Sequence, residues 1–163
     1  MREKERKYCY GMYTLMFLLM CMAAFLPFFI GGKNFVWGAG VEDGLSQHFS
    51  ALAYYGKLIR EFVKNLIAGH PKLMMWNMSL GYGADVIATL NYYAIGDPLN
   101  LLYGFVPVKY TEIMYNFMIL LRMYLAGIAF ILYARKMKKR TYGTVIGALA
   151  YVFCGFCFRL GLR

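Results

Sequence analysis

The 163-residue chain is 61% hydrophobic and only 16% charged, with a mean hydropathy of +0.48. A soluble domain is about half apolar and about a quarter charged, and a small one has too little interior to hide such an excess. The 18 Lys and Arg against 8 Asp and Glu leave a charge of +10, but these bases flank apolar runs, which indicates membrane topology and not nucleic acid. Disorder, a disulfide scaffold and a soluble DNA-binding module are excluded.

Residues 1–9 are basic, and no charge then interrupts the chain between Lys7 and Lys33. Tyr10–Ile30 is read as a first span, since a helix of about 20 residues crosses a hydrocarbon core of about 30 Å. It is too long for a signal-peptide core, and no small-x-small cleavage site follows it. Residues 31–111 form a large loop. Ile113–Ala134 is a second span, interrupted only by Arg122, and 135–140 is a short basic turn. The charge-free run Thr141–Phe158 is read as a third span over 141–160. The expected fold is all-α: an integral membrane protein with three transmembrane helices and a large extracytoplasmic loop carrying amphipathic interfacial helices.

Orientation follows from the flanks. Arg2, Lys4, Arg6 and Lys7 precede the first span, and Arg135, Lys136, Lys138, Lys139 and Arg140 separate the second from the third. Bases accumulate on the cytoplasmic side, which places the N-terminus inside and the 31–111 loop outside.

Within that loop, Leu45, Phe49, Leu52, Tyr55, Ile59, Phe62, Val63 and Leu66 recur at three- and four-residue steps. Asp43 to Ile67 therefore reads as an amphipathic helix suited to the membrane interface. Gly69-His70-Pro71 ends it. The stretch from Asn65 to Val108 carries so few charges that it is expected to pack on the bilayer face or on other helices. Trp37 and Trp76 suit the interfacial belt. Gly81-Tyr82-Gly83 signals a turn, and Asp97-Pro98 opens a short helix with Asp as cap and Pro at its first position.

Chemistry has few candidates. Asp43 reads either as a helix N-cap or as a carboxylate held at the water–lipid boundary, able to bind a metal or accept a proton. Asp97 is expected to cap; Asp85, beside the glycine turn, is left open between structure and function. Arg122 sits mid-span, where an Arg costs about 3 kcal/mol unless it faces protein or a polar cavity. It pairs there with a carboxylate or binds an anionic ligand. His48 and His70 have no zinc-ligand spacing and read as polar surface. Cys154 and Cys157 have CxxC spacing but lie in an apolar run, and read as small apolar fillers. Gly143 and Gly147 form a GxxxG that admits a neighbouring helix. Asn77-Met78-Ser79 matches a glycosylation sequon of low specificity. A small protein acting through helix packing is compatible with these features.

Four stretches in fixed order add a resemblance. They are Glu42-Asp43-Gly44-Leu45-Ser46-Gln47 with the amphipathic helix behind it, Trp76-Asn77-Met78-Ser79-Leu80-Gly81-Tyr82-Gly83, Tyr92-Tyr93 with Asp97-Pro98-Leu99-Asn100-Leu101-Leu102, and Leu121-Arg122 with Ala126-Gly127. In this order they resemble the start of the bacterial YfhO family of multi-pass membrane proteins. That family is similar to GT-C glycosyltransferases, which take a sugar from a polyprenyl-phosphate carrier at the outer membrane face, and its members are associated with teichoic acid glycosylation. The resemblance implies Asp43 as the catalytic acidic residue, with Glu42, Gln47, Arg122, Asp85 and Asp97 as substrate-binding candidates. Its implied partners are the lipid bilayer, a polyprenyl-phosphate-linked sugar and a cell-wall polymer acceptor, in the bacterial plasma membrane. A divalent metal is compatible with the family, but the loop has Glu42-Asp43 and no Asp-x-Asp, so no metal ligand is assigned. The family runs to many more spans, so this chain is expected to be an N-terminal section, inactive alone. The alternative expectation is a non-enzymatic component of a lipid-linked sugar flippase or transporter.

Overall fold

A computed structural model describes residues 3–36 and 44–155, with side chains from Lys7 onward. In chain order the elements are helix α1 (Glu3–Ile30), a π-helical turn (Gly44–Phe49), α2 (Ser50–Ile67), strands β1 (Trp76–Asn77) and β2 (Ala84–Asp85), the short helix α3 (Val86–Leu90), a second π-helical turn (Asn91–Ile95), 3-10 helices at Pro98–Phe105 and Val108–Tyr110, α4 (Thr111–Lys136) and α5 (Thr141–Val152). They fall into two compact units, Met1–Phe35 with Phe117–Leu162, and Val36–Asn116.

The first unit is built from long apolar helices. Helix α1 has 28 residues, about 42 Å at 1.5 Å per residue. Its buried residues are Cys9, Tyr13, Phe17, Cys21 and Phe25, one every fourth position along a single ridge. Leu15, Leu18, Leu19, Met22, Leu26 and Phe29 are exposed. A helix that is apolar on its outward faces too belongs in a hydrocarbon environment.

The ridge meets α4 through Tyr13, whose ring stacks on Tyr124 at 5.5 Å and whose hydroxyl donates to the Tyr124 carbonyl at 3.1 Å. Gly127 makes that approach possible, because a Cβ there would collide with the Tyr13 hydroxyl. Phe17 meets Phe153, just past α5, with centroids 5.7 Å apart. On α5 the GxxxG divides its roles: a Cβ on Gly147 would crowd the Phe130 ring at 3.0 Å, whereas one on Gly143 would meet nothing.

Lys7–Ile30 and Val108–Lys136 are long and apolar enough to cross a membrane, with 24 and 29 residues at mean hydropathies of 2.2 and 2.0. The third expected span is described only over Thr141–Val152, 12 residues, about 18 Å and too short to cross alone. Its expected continuation past 155 lies outside the described residues.

Three helices end alike. The amides of Gly32, Gly69 and Lys138 bond to Phe29, Leu66 and Arg135 carbonyls, and those of Lys33, His70 and Lys139 reach one residue further back. This is the Schellman pattern, whose pivot residue needs positive φ. Gly69, at +78°, fills it where Gly69-His70-Pro71 marks the end of α2; Lys138 fills it at +54° without the freedom of glycine.

In the second unit, α2 packs on the 3-10 helix Pro98–Phe105. Leu52, Tyr55, Gly56 and Leu58 are its buried residues, while Val63, Leu66 and Ile67 at its C-terminal end stay exposed. The expected continuous helix from Asp43 differs in detail: it begins with a π-turn at Gly44 and becomes α-helical only at Ser50. Gly56 and Gly104 set the approach, since a Cβ on the first would sit 2.7 Å from the Tyr103 carbonyl oxygen and one on the second 2.5 Å from Ile59 Cγ2. Arg60 donates from Nη1 to the Tyr103 carbonyl at 3.0 Å, which also accepts from the Val106 amide, and to the Val106 carbonyl just past the end of the 3-10 helix.

Candidate functional site

The loop unit gathers polar and aromatic side chains at its two π-helical turns. A π-turn accommodates an extra residue, shifts the side-chain register and is frequent at functional sites. The first turn carries Gln47 and His48. The second carries Tyr92 and Tyr93 and closes with the Gly96 amide bonding to the Asn91 carbonyl five residues back, at 3.0 Å.

Tyr93 donates its hydroxyl to Gln47 Oε1 at 2.6 Å. The His48 ring meets the Tyr93 edge with centroids 5.2 Å apart and planes at 74°, and lies 6.1 Å from Tyr92. Tyr92 and Tyr93 stand nearly perpendicular at 5.0 Å. Such edge-to-face arrangements are favoured by the ring quadrupoles. Tyr92 is 79% exposed. The result is a braced aromatic surface with one open tyrosine ring and amide, imidazole and phenol groups beside it.

The expected site residues do not all share this cluster. Gln47 is in it. Glu42 and Asp43 immediately precede the first π-turn in the chain but lie outside the described residues, as does Trp37. Asp85 is an N-cap: its Oδ1 accepts from the Ala88 amide at 2.6 Å at the start of α3. Asp97 caps the 3-10 helix, its carboxylate accepting from the Leu99 amide at 2.9 Å, with Pro98 at the first position. Arg122 is half-buried on α4 beside the buried Met123, in the other unit. Among the described residues, no three His, Cys, Asp or Glu side chains come together as metal ligands.

Sequence alone does not bring His48, Tyr92 and Tyr93 together: His48 reads as polar surface and the tyrosine pair only as part of a pattern. Two neighbouring tyrosines next to an Asn, followed by Gly96-Asp97-Pro98, are the local signal, but their meeting with Gln47 needs the folded chain.

The glycine-turn motif positions this region. Strand β1 pairs antiparallel with β2, Trp76 opposite Asp85 and Asn77 opposite Ala84. Asn77 accepts from the Ser79 amide at 2.8 Å and donates to the Tyr54 hydroxyl on α2. Its side chain therefore has a structural use, tying the hairpin to α2. Gly81 and Gly83 turn the chain at φ of +60° and +105°. Around the hairpin, Met74, Met75, Trp76, Met78 and Tyr82 are exposed.

Apolar helices of membrane-crossing length, carrying a folded loop unit with an exposed polar–aromatic cluster, define a helical membrane protein. Within that class the chain belongs to the family of the bacterial membrane protein YfhO, whose model matches residues 12–159. Neither the curated proteins nor the solved structures include a match to it.

Proposed function

We propose that the chain contributes the first loop of a membrane glycosyltransferase of GT-C type, acting on a polyprenyl-phosphate-linked sugar at the outer face of the bacterial plasma membrane. The observation that carries this reading is the cluster of Gln47, His48, Tyr92 and Tyr93. The C–H face of a sugar ring packs on an aromatic side chain while its hydroxyls exchange hydrogen bonds with amide and imidazole groups. An exposed tyrosine ring braced beside a glutamine and a histidine has that chemistry. Its Gln47 and His48 follow Asp43 by four and five residues, which ties a sugar surface to the acidic residue expected to do the chemistry.

In this reading Asp43 orients or deprotonates an acceptor hydroxyl, such as one on a teichoic acid. The hydroxyl oxygen bonds to the anomeric carbon as the carbon–oxygen bond to the carrier phosphate breaks, and the phosphate leaves with the electron pair. The charge on the departing phosphate calls for a cation, and Arg122 is a candidate for that role.

The test is sugar transfer from polyprenyl phosphate, measured in membranes with the protein at its natural length. Asp43→Asn, which keeps a capping oxygen but cannot take a proton, is expected to lower the rate by about 100-fold or more. Tyr92→Ala is expected to raise KM for the donor with expression unchanged. Full transfer activity in both variants would remove the loop from the reaction.

A further inference from the structure

At the basic end of the first unit, α1 and α4 line an open, solvent-facing cavity of about 690 Å³, with Lys7, Tyr10, Leu132, Arg135 and Lys136 around it. Lys7 and Tyr10 lie one turn apart on α1, and Leu132, Arg135 and Lys136 share a face of α4 by their three- and four-residue spacing. Three of the five lining residues are cationic and none is acidic. The volume falls within the range of small-molecule sites, about 300–1,000 Å³.

Basic residues at helix ends are ordinary topological flanks and also suit the negative end of the helix dipole. Two features go beyond a flank. Arg135 is held in place, donating from Nη1 to the Tyr10 hydroxyl at 2.9 Å with its guanidinium carbon 5.4 Å from the Tyr10 ring centroid. Its Nε is buried and has no acceptor among the described residues. A buried donor left without an acceptor is costly, and more so on a charged group. A guanidinium fixed by its neighbours at the rim of a basic cavity is the side-chain form that recognises phosphate oxygens.

We propose that this cavity is a phosphate-binding site, with Arg135 as the fixed fork and Lys7 and Lys136 as the flanking charges. Leu132 adds an apolar wall, 56% exposed, which is compatible with a phosphodiester that carries acyl chains. Basic pockets between membrane helices hold anionic headgroups in this way. The site does not depend on the sugar-transfer reading, because it uses none of the residues invoked there.

The experiment uses the full chain, delipidated in an uncharged detergent and titrated separately with dioctanoyl phosphatidylglycerol, dioctanoyl phosphatidylcholine and inorganic phosphate, with bound species counted by native mass spectrometry. Saturable binding of phosphatidylglycerol at least about tenfold tighter than phosphatidylcholine is expected, from about 1 kcal/mol per nearby cation. Arg135→Gln and Lys136→Gln should each weaken it about fivefold on the same scale. Lys136 is exposed, so its variant reads binding without risk to folding. Lys72→Gln, in the other unit, should leave binding unchanged.

Competition by inorganic phosphate at similar concentration would support the site and assign it to free phosphate; lipid binding without such competition would support it as a headgroup site. Equal binding of both lipids with no effect of phosphate, or wild-type affinity in Lys136→Gln and Arg135→Gln together, would overturn it.

Discussion

Tyr93 donates a 2.6 Å hydrogen bond to Gln47 across 46 residues of chain, and this bond joins the two π-helical turns of the loop unit. It connects the stretch just after Asp43 to the tyrosine pair, and it turns two separate local patterns into one surface.

Removing that bond should be measurable without unfolding the protein. Tyr93→Phe and Gln47→Ala should each cost about 1 kcal/mol, the usual net value of such a bond. Their double variant should cost less than the sum of the two, because each single change already breaks the same contact. Additive losses in chemical denaturation would show that the two side chains act independently.

Gly56 faces the carbonyl of Tyr103 closely enough that a Cβ would lie 2.7 Å from its oxygen. A backbone carbonyl cannot swing aside as a flexible side-chain end can. Gly56→Ala should therefore destabilise the loop unit by at least about 1–3 kcal/mol despite the better helix propensity of alanine. The readout is the midpoint of thermal unfolding, compared with Gly143→Ala on α5, where a Cβ meets nothing.

Lys138 occupies the left-handed pivot after α4 at φ +54°. A side chain there is strained by about 1 kcal/mol relative to glycine. Lys138→Gly should raise stability by about that amount, whereas the same change at Lys64, exposed in the last turn of α2, should lower it by up to about 1 kcal/mol. A loss of stability at position 138 would mean that the lysine side chain contributes more than its backbone strain costs.

Trp76 is 60% exposed among other uncovered apolar residues of the hairpin. In a membrane the favourable place for that surface is the interface, where an indole is accommodated at the level of the headgroups. In a Trp37→Phe background, brominated lipid should quench Trp76 fluorescence strongly, and Trp76→Phe should leave almost no signal to quench. Emission characteristic of full exposure to water, insensitive to bromine, would place the hairpin away from the bilayer.

The sequence by itself determined the two helices long and apolar enough to cross a membrane, because long charge-free runs admit one low-cost environment and about 20 helical residues admit one length scale. It also located local devices that depend only on neighbouring residues. Asp97-Pro98 opens a 3-10 helix as its chemistry requires, Gly69 stops α2, and the two glycines at 81 and 83 turn the hairpin. Asp85 was ambiguous from neighbours alone; it became a cap once α3 was seen to start at Val86.

What only the tertiary structure decided are the relations between residues far apart in the chain. Arg60 reads as one more charge on the polar face of an amphipathic helix, yet it serves the Tyr103 and Val106 carbonyls. Gly127 looks like an ordinary small residue in a span, yet it is the seat of the Tyr13 hydroxyl. His48 looks like surface, and Arg135 like a topological flank. Periodicity and spacing report which face of an element a residue occupies; they carry no information about which element arrives opposite it, and in this protein the polar–aromatic cluster and the basic cavity are made by those arrivals.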